Sequence, residues 1–187
     1  MELSIEIVAV VLNLIYLFLL IKEDISCWYF GITGSLLSIY LFYSIGLYSE
    51  SILYIYYVVI GFYGYFLWKK GNNSKSIKIN SISLKNHFLI ISSSVLISLI
   101  VGWFFKNNTD AVNPFLDAFT TVFSFVASFL EAKKIISSWV FWIVINTATV
   151  VLYAQQELYY YIFLTLVYVV FSVIGFLKWK RKLEANI

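Results

Sequence analysis

The sequence contains few of the residues that build disulfides, metal sites and polar surfaces. It has a single cysteine (Cys27), a single proline and a single histidine (His87), which excludes a disulfide framework and an ordinary zinc site. Only 12% of the residues are charged, and no Gly/Ser linker or nucleic-acid-binding tail is visible. By contrast, 61% of the 187 residues are hydrophobic and the mean hydropathy is +0.87. This composition indicates an integral membrane protein rather than a soluble domain.

Seven apolar segments come near the length of about 20 residues that a helix needs to cross the hydrocarbon core. The predicted spans are residues 4–21, 28–46, 52–68, 88–105, 115–130, 139–155 and 158–177. We expect the first segment to remain as a membrane anchor, because acidic residues stand at its start and no small-residue cleavage site is visible. Membrane carboxylates are expected only at Glu6 and Asp117, near the outer edge. The predicted fold class is an all-α integral membrane protein with seven transmembrane helices.

The basic residues indicate the orientation of these spans. Only Lys106 would lie on the N-terminal side of the membrane. The other twelve share the opposite side: Lys22, Lys69, Lys70, Lys75, Lys78, Lys85, Lys133, Lys134, Lys178, Lys180, Arg181 and Lys182. Because cytoplasmic loops carry an excess of Lys and Arg, this distribution predicts an N-terminus outside the cytoplasm and a C-terminus inside it.

The sequence also repeats itself at a gap-free offset of 111 residues, with sixteen identical positions between residues 22 and 69 and their counterparts. Three spans end on the opposite side from where they begin, so a second copy keeps its orientation only if an extra span intervenes. The segment 88–105 has no counterpart and fits that role. We therefore predict parallel repeats in a 3+1+3 arrangement. Residues 1–70 form the first three-helix bundle, 71–114 a cytoplasmic loop and linker helix, and 115–187 the second bundle with a basic cytoplasmic tail.

The stretch WVFWIVINTATVVLY carries aromatic and amide groups in one helical register. Trp139, Trp142, Asn146, Thr149 and Tyr153 follow at steps of three and four, which places them on one face of a helix. An amide left unpaired in hydrocarbon costs roughly several kcal/mol, so Asn146 must face other helices, water or a ligand. Indole faces beside an amide suit a planar heterocycle. The alternative is that Trp139 is an interfacial belt residue and that Asn146 makes an interhelical hydrogen bond.

Polar stripes on other segments complete the candidate substrate site. Asp117, Thr121, Ser124 and Ser128 step by four, three and four, which predicts an inward-facing stripe on the fifth segment. The alternative role of Asp117 is to complement the helix dipole, with Asn113 as the helix cap. The first repeat has smaller groups at matching positions, so the predicted pocket has one aromatic, amide-bearing wall and one wall of small residues. The remaining candidates are Asn13, Ser35, Tyr57 and Tyr168, of which the two tyrosines serve equally well in packing.

The sequence resembles the PnuC family of vitamin transporters over nearly its whole length. The resemblance is carried by WYFGITGSLLSIYLFYSIGLYSESILYIYYVVIGFYGYFLW, DAFTTVFSFVAS and WVFWIVIN, and by Gly175 before Trp179. It implies a seven-helix fold similar to SWEET sugar transporters, uptake of nicotinamide riboside or a related vitamin without ATP hydrolysis, and trapping by a cytoplasmic vitamin kinase. It also implies a multi-pass protein of the bacterial inner membrane, without a cofactor, that forms homo-oligomers such as trimers. By position, Trp142 and Asn146 would contact the substrate, with the fifth-segment stripe opposite.

Two departures from the family pattern leave the substrate open. Nicotinamide riboside transporters of this family often have Gln where this chain has Tyr54 and Ser128, and related thiamine and riboflavin transporters share the scaffold. A non-transporting membrane subunit is a further alternative. An intramembrane enzyme is disfavoured, because Cys27 has no evident base and His87 lies beside a Lys-rich loop. No P-loop is visible, so facilitated uptake of a B-vitamin-type molecule is the predicted function.

Overall fold

A computed structural model describes residues 2–44, 48–74, 77–109, 113–155 and 159–185, and these ranges contain seven α-helices. The helices are α1 (Glu2–Ile21), α2 (Cys27–Ser44), α3 (Tyr48–Ser74), α4 (Leu84–Asn108), α5 (Pro114–Ala132), α6 (Ser137–Gln155) and α7 (Tyr159–Glu184). Each helix overlaps one predicted apolar segment, so the prediction of an all-helical chain is confirmed. Several helices run past the predicted ends, because hydropathy marks only the apolar part while helical hydrogen bonding continues into the polar residues that follow.

Five of these helices contain a stretch long and apolar enough to cross a membrane. The stretches are Ser51–Lys70, Leu84–Asn108, Pro114–Ala132, Ser137–Gln155 and Ile162–Glu184. Helices α1 and α2 contribute shorter apolar stretches, Ile7–Ile21 and Cys27–Leu41, within the part of the chain that the structure describes. Length and composition therefore indicate several membrane crossings.

The described residues form two compact units, unit 1 up to Lys78 and unit 2 from Ile79 onward. In unit 1, α2 packs against both α1 and α3. In unit 2 the helices pack in chain order, α4 on α5, α5 on α6 and α6 on α7. The buried face of α4 consists of small residues, Ser94, Ser98 and Gly102, which permit close approach to α5.

The same tryptophan packing recurs 111 residues later. In each unit a buried indole lies over a glycine, so close that an added Cβ atom would come within 2.3 Å of the ring in unit 1 and 2.6 Å in unit 2. A second tryptophan packs edge-on with a centroid distance of 5.3 Å in both units. The residues concerned are Trp28, Gly64 and Trp68 in unit 1, and Trp139, Gly175 and Trp179 in unit 2.

Helices α1 and α5 also end in the same left-handed turn. Glu23 and Lys134 have φ angles of 60° and 53°, and each donates its amide to the carbonyl three residues earlier. The next residue in each turn donates to the carbonyl five residues earlier, which completes a Schellman motif. After the first turn, the amide of Ser26 donates to Oδ1 of Asp24 across 2.8 Å, and this bond lowers the pKa of the Asp24 carboxyl. The two left-handed residues, Glu23 and Lys134, are again 111 residues apart.

Helix α5 starts at the predicted cap residue, but the side chain of that residue bonds elsewhere. Asn113 precedes the helix, but its side chain makes no capping bond. Its Nδ2 donates instead to Oε1 of Gln155, at the end of α6, across 2.9 Å. Asn113 is thus the N-cap residue of α5 by position, and its carbonyl accepts from the Asp117 amide, but its side chain bonds to the neighbouring helix and not to the α5 backbone.

The segment before α4 is fixed to the turn between α5 and α6. Asn80 and Ile135 form an isolated parallel β-bridge. The Asn80 amide donates to the Lys134 carbonyl across 3.0 Å, and the Ile136 amide donates to the Asn80 carbonyl across 2.9 Å. Ile79 and Ile135 are both buried beside this bridge. The bridge therefore anchors the turn that joins the two helices of the candidate site.

Candidate functional site

A side-chain hydrogen bond joins α5 to α6 in unit 2. Nε1 of Trp142 donates to Oε2 of Glu131 across 2.6 Å. Glu131 lies in the last turn of α5 and is only 2% exposed, whereas Trp142 is half-buried on α6. The Trp142 ring also packs against the apolar core of unit 2. A buried carboxyl group requires hydrogen-bond donors, and the indole supplies one from the neighbouring helix.

Glu131 is a residue that the sequence-based prediction missed. That prediction placed membrane carboxylates only at Glu6 and Asp117, and the predicted fifth span ended at residue 130, just before Glu131. The structure buries Glu131 inside unit 2, near the end of the apolar stretch Pro114–Ala132; the side chain of Glu6 lies outside the described residues. The signal that could have found it is the short turn between α5 and α6, which brings the end of one helix beside the start of the next.

Trp139 lies in the interior of unit 2. Its side chain is 0% exposed, and its ring packs over Gly175 and edge-on against Trp179. The structure therefore brings Trp139 together with α7, and Trp142 together with α5. The alternative interpretation as an interfacial belt residue is wrong, because a belt residue needs an exposed ring.

Asn146 lies one helical turn beyond Trp142 and faces α7. Its Nδ2 is 3.5 Å from Oγ of Ser172, and the Ser172 hydroxyl donates to the Tyr168 carbonyl across 2.8 Å. The interhelical hydrogen bond suggested by the sequence is thus present, although it is long. Within the described residues this is the only hydrogen bond of the Asn146 side chain. An Asn amide offers about four bonding positions, so capacity for a ligand remains.

The predicted stripe on α5 is divided between the interior and the surface of unit 2. Ser124 and Ser128 are buried, and the Ser128 hydroxyl donates to the Ser124 carbonyl of its own helix. Asp117 and Thr121 are half-buried. The hydroxyl of Ser128 is therefore satisfied locally, whereas Asp117 and Thr121 keep accessible surface.

Unit 1 fills the positions that the sequence predicts to be open. Oδ1 of Asn13 lies over Gly34, and the Tyr16 ring lies over Gly31; an added Cβ atom at either glycine would be 2.7 Å from the group above it. Ser35 is buried. The predicted wall of small residues therefore leaves no volume at Gly31, because α1 supplies the bulk there.

The two units differ in which helix supplies the large residue and which supplies the small one. Tyr16 and Gly31 of unit 1 correspond, at the offset of 111, to Ala127 and Trp142 of unit 2. The aromatic ring comes from α1 in unit 1 and from α6 in unit 2. As a consequence, Trp142 is a feature of unit 2 alone, and α2 carries no ring at its counterpart.

The remaining candidates are partly exposed aromatic residues. Tyr57 is half-buried in unit 1 and packs edge-on against Tyr54, with a centroid distance of 5.4 Å. Tyr153 and Tyr168 are half-buried in unit 2. Each of these rings keeps accessible surface, so a role in ligand contact stays a prediction.

Comparisons with known proteins identify a transporter family. The model of a family described as nicotinamide mononucleotide transporter matches residues 3–181. The nicotinamide riboside transporter PnuC of Neisseria mucosa is 27% identical over 179 residues, covering 88% of this chain and 67% of the relative. The Escherichia coli protein of the same name is 26% identical over 182 residues, covering 83% and 76%. A crystal structure of the vitamin B3 transporter PnuC superposes with a TM-score of 0.79 at 25% identity, covering 96% of this chain and 82% of that one.

Proposed function

The chain belongs to the nicotinamide mononucleotide transporter family and to its PnuC type, and we propose that it carries nicotinamide riboside across the membrane. Like its relatives, it is a multi-pass membrane transporter and not an enzyme. The observation that carries the substrate proposal is the α6 face, where an indole held through Nε1 precedes an amide with unused bonding positions by one turn. Nicotinamide riboside offers a flat ring that can stack on Trp142 and a carboxamide that can bond to Asn146.

The proposed topology has seven spans in a 3+1+3 arrangement of parallel repeats, with the N-terminus outside and the C-terminus in the cytoplasm. The recurring tryptophan packing and the recurring left-handed turn support the repeat. The distribution of the thirteen basic residues supports the orientation. We place the protein in the bacterial inner membrane, as a homo-oligomer such as a trimer.

Transport in this proposal is facilitated diffusion, and a cytoplasmic kinase traps the product. Phosphorylation adds charge to the nucleoside, and the charged product no longer fits the route by which it entered. The sequence contains no P-loop that would couple transport to ATP hydrolysis.

Purified protein in liposomes should exchange internal nicotinamide riboside for labelled nicotinamide riboside outside, and should equilibrate it without concentrating it. Counterflow with labelled nicotinamide riboside, thiamine and riboflavin measures both properties, with protein-free liposomes as the control. Accumulation above the outside concentration that depends on an ion gradient would contradict the mechanism. Counterflow of thiamine or riboflavin but not of nicotinamide riboside would contradict the substrate assignment.

Asn146→Leu should weaken nicotinamide riboside binding about tenfold while the protein stays folded, because a ligand carboxamide then loses its hydrogen-bond partner. Leucine suits a helix interior, so the melting temperature should stay the same or rise. Isothermal titration and thermal unfolding on the same preparation measure both quantities. Thr147→Leu is the matched control, since Thr147 is the next residue of α6 and is exposed. Unchanged affinity in a folded Asn146→Leu protein would place the site on another residue.

A further inference from the structure

The hydrogen bond between Glu131 and Trp142 is not a general requirement of buried tryptophans in this protein. Three tryptophans, Trp28, Trp139 and Trp179, are almost completely buried, and their Nε1 atoms have no hydrogen-bond partner within the described residues. Packing of the ring is thus sufficient to hold an indole in this fold. Trp142 is more exposed than these three, yet its Nε1 is bonded to a carboxyl group that is 2% exposed.

The pair is also not a requirement of the repeated fold. At the offset of 111, Glu131 corresponds to Leu20 and Trp142 to Gly31. Leu20 is fully buried, so an apolar side chain occupies the matching position in unit 1. At these two positions, acid and indole therefore occur together in unit 2, which carries the proposed substrate face, and unit 1 has neither of them there.

The bond has a clear effect on the indole. A partly buried ring at the edge of a core has more than one side-chain rotamer open to it, and each rotamer would present a different face. A bond from Nε1 to a buried group on a second helix selects one orientation, because the acceptor belongs to the packed interior. Binding groups that are held in their productive geometry bind more tightly, since less ordering is needed when the ligand arrives.

We propose that Glu131 is a positioning residue of the substrate site, which holds the Trp142 indole in the orientation that stacks on the substrate ring. The proposal rests on the function proposed above, in which Trp142 contacts nicotinamide riboside. Glu131 acts through the indole and does not itself touch the substrate.

Two substitutions separate the hydrogen bond from the rest of the side chain. Glu131→Gln keeps the shape and offers a carbonyl oxygen to Nε1, so nicotinamide riboside affinity should stay within about threefold of the parent. Glu131→Leu removes the acceptor, and affinity should fall about tenfold. Leucine is the residue that unit 1 carries at this position, so the variant should fold, and its melting temperature is measured alongside. A loss in Glu131→Gln as large as in Glu131→Leu would overturn the proposal.

A double-mutant cycle tests whether Glu131 acts through the indole. In a Trp142→Phe background, where no N–H donor exists, Glu131→Leu should cause no further loss of affinity. An equal loss in both backgrounds would show that Glu131 acts independently of Trp142 and would overturn the proposal.

A measurement without ligand distinguishes this proposal from the function on which it rests. The indole N–H resonance of Trp142 in ¹⁵N-labelled protein is assigned by its disappearance in Trp142→Phe. It should move upfield in Glu131→Leu and change little in Glu131→Gln, because the shift follows the strength of the hydrogen bond. An unmoved resonance in Glu131→Leu would overturn the positioning role even where nicotinamide riboside binds. A moved resonance in a protein that does not bind nicotinamide riboside would overturn the proposed function and leave the bond in place.

Discussion

Replacing Trp142 by alanine should weaken nicotinamide riboside binding by about 1–3 kcal/mol, the range found when aromatic rings that stack on nucleobases are removed. Two effects contribute to this loss. The ring that would stack on the substrate is gone, and the buried Glu131 carboxyl loses the donor that lies 2.6 Å from it. The second effect also lowers the stability of unit 2, because the loss of a hydrogen bond to a buried carboxyl group is costly.

The matched variant Trp142→Phe should recover part of the affinity, since phenylalanine keeps a stacking face but no N–H donor. Titration calorimetry and melting temperature on the same purified variants separate binding from folding. If Trp142 has only a packing role, Trp142→Ala will lower the melting temperature and leave the affinity of the folded fraction unchanged. That result would remove Trp142 from the substrate site.

Replacing Trp139 by alanine should have the larger effect on stability, a loss of about 3–5 kcal/mol in the free energy of unfolding. The ring is completely buried between Gly175 and Trp179, so its removal leaves a cavity that neighbouring backbone cannot fill. Trp28→Ala in unit 1 should cost a similar amount, because the same packing recurs there.

Trp103→Ala is the control for this experiment, since Trp103 is 64% exposed on α4 and its removal creates no cavity. Chemical unfolding in detergent, followed by circular dichroism, gives the free energies. Trp139→Ala should affect nicotinamide riboside binding only through the folded fraction. A Trp139→Ala protein that keeps its unfolding free energy but loses affinity would show that Trp139 contacts the ligand directly.

The sequence by itself determined the helices, their order and the offset of the repeat. Each of these depends on local properties: the length of an apolar run fixes a membrane-crossing helix, and steps of three and four fix which side chains share a helix face. The offset of 111 reappears in the structure as paired left-handed turns at Glu23 and Lys134, which no sequence motif had marked. The transporter family could likewise be recognised from residues that stand close together along the chain.

Only the tertiary structure decided what each side chain on a shared face contacts. Trp139 and Trp142 stand three residues apart and only about 60° apart around the helix axis, yet one packs on α7 and the other bonds to α5, because α6 lies between these two helices. The burial of Glu131 and the filling of the space above Gly31 by Tyr16 depend on which helix lies opposite. Helical periodicity describes one helix at a time, whereas a binding site is formed by the neighbours that packing brings against it.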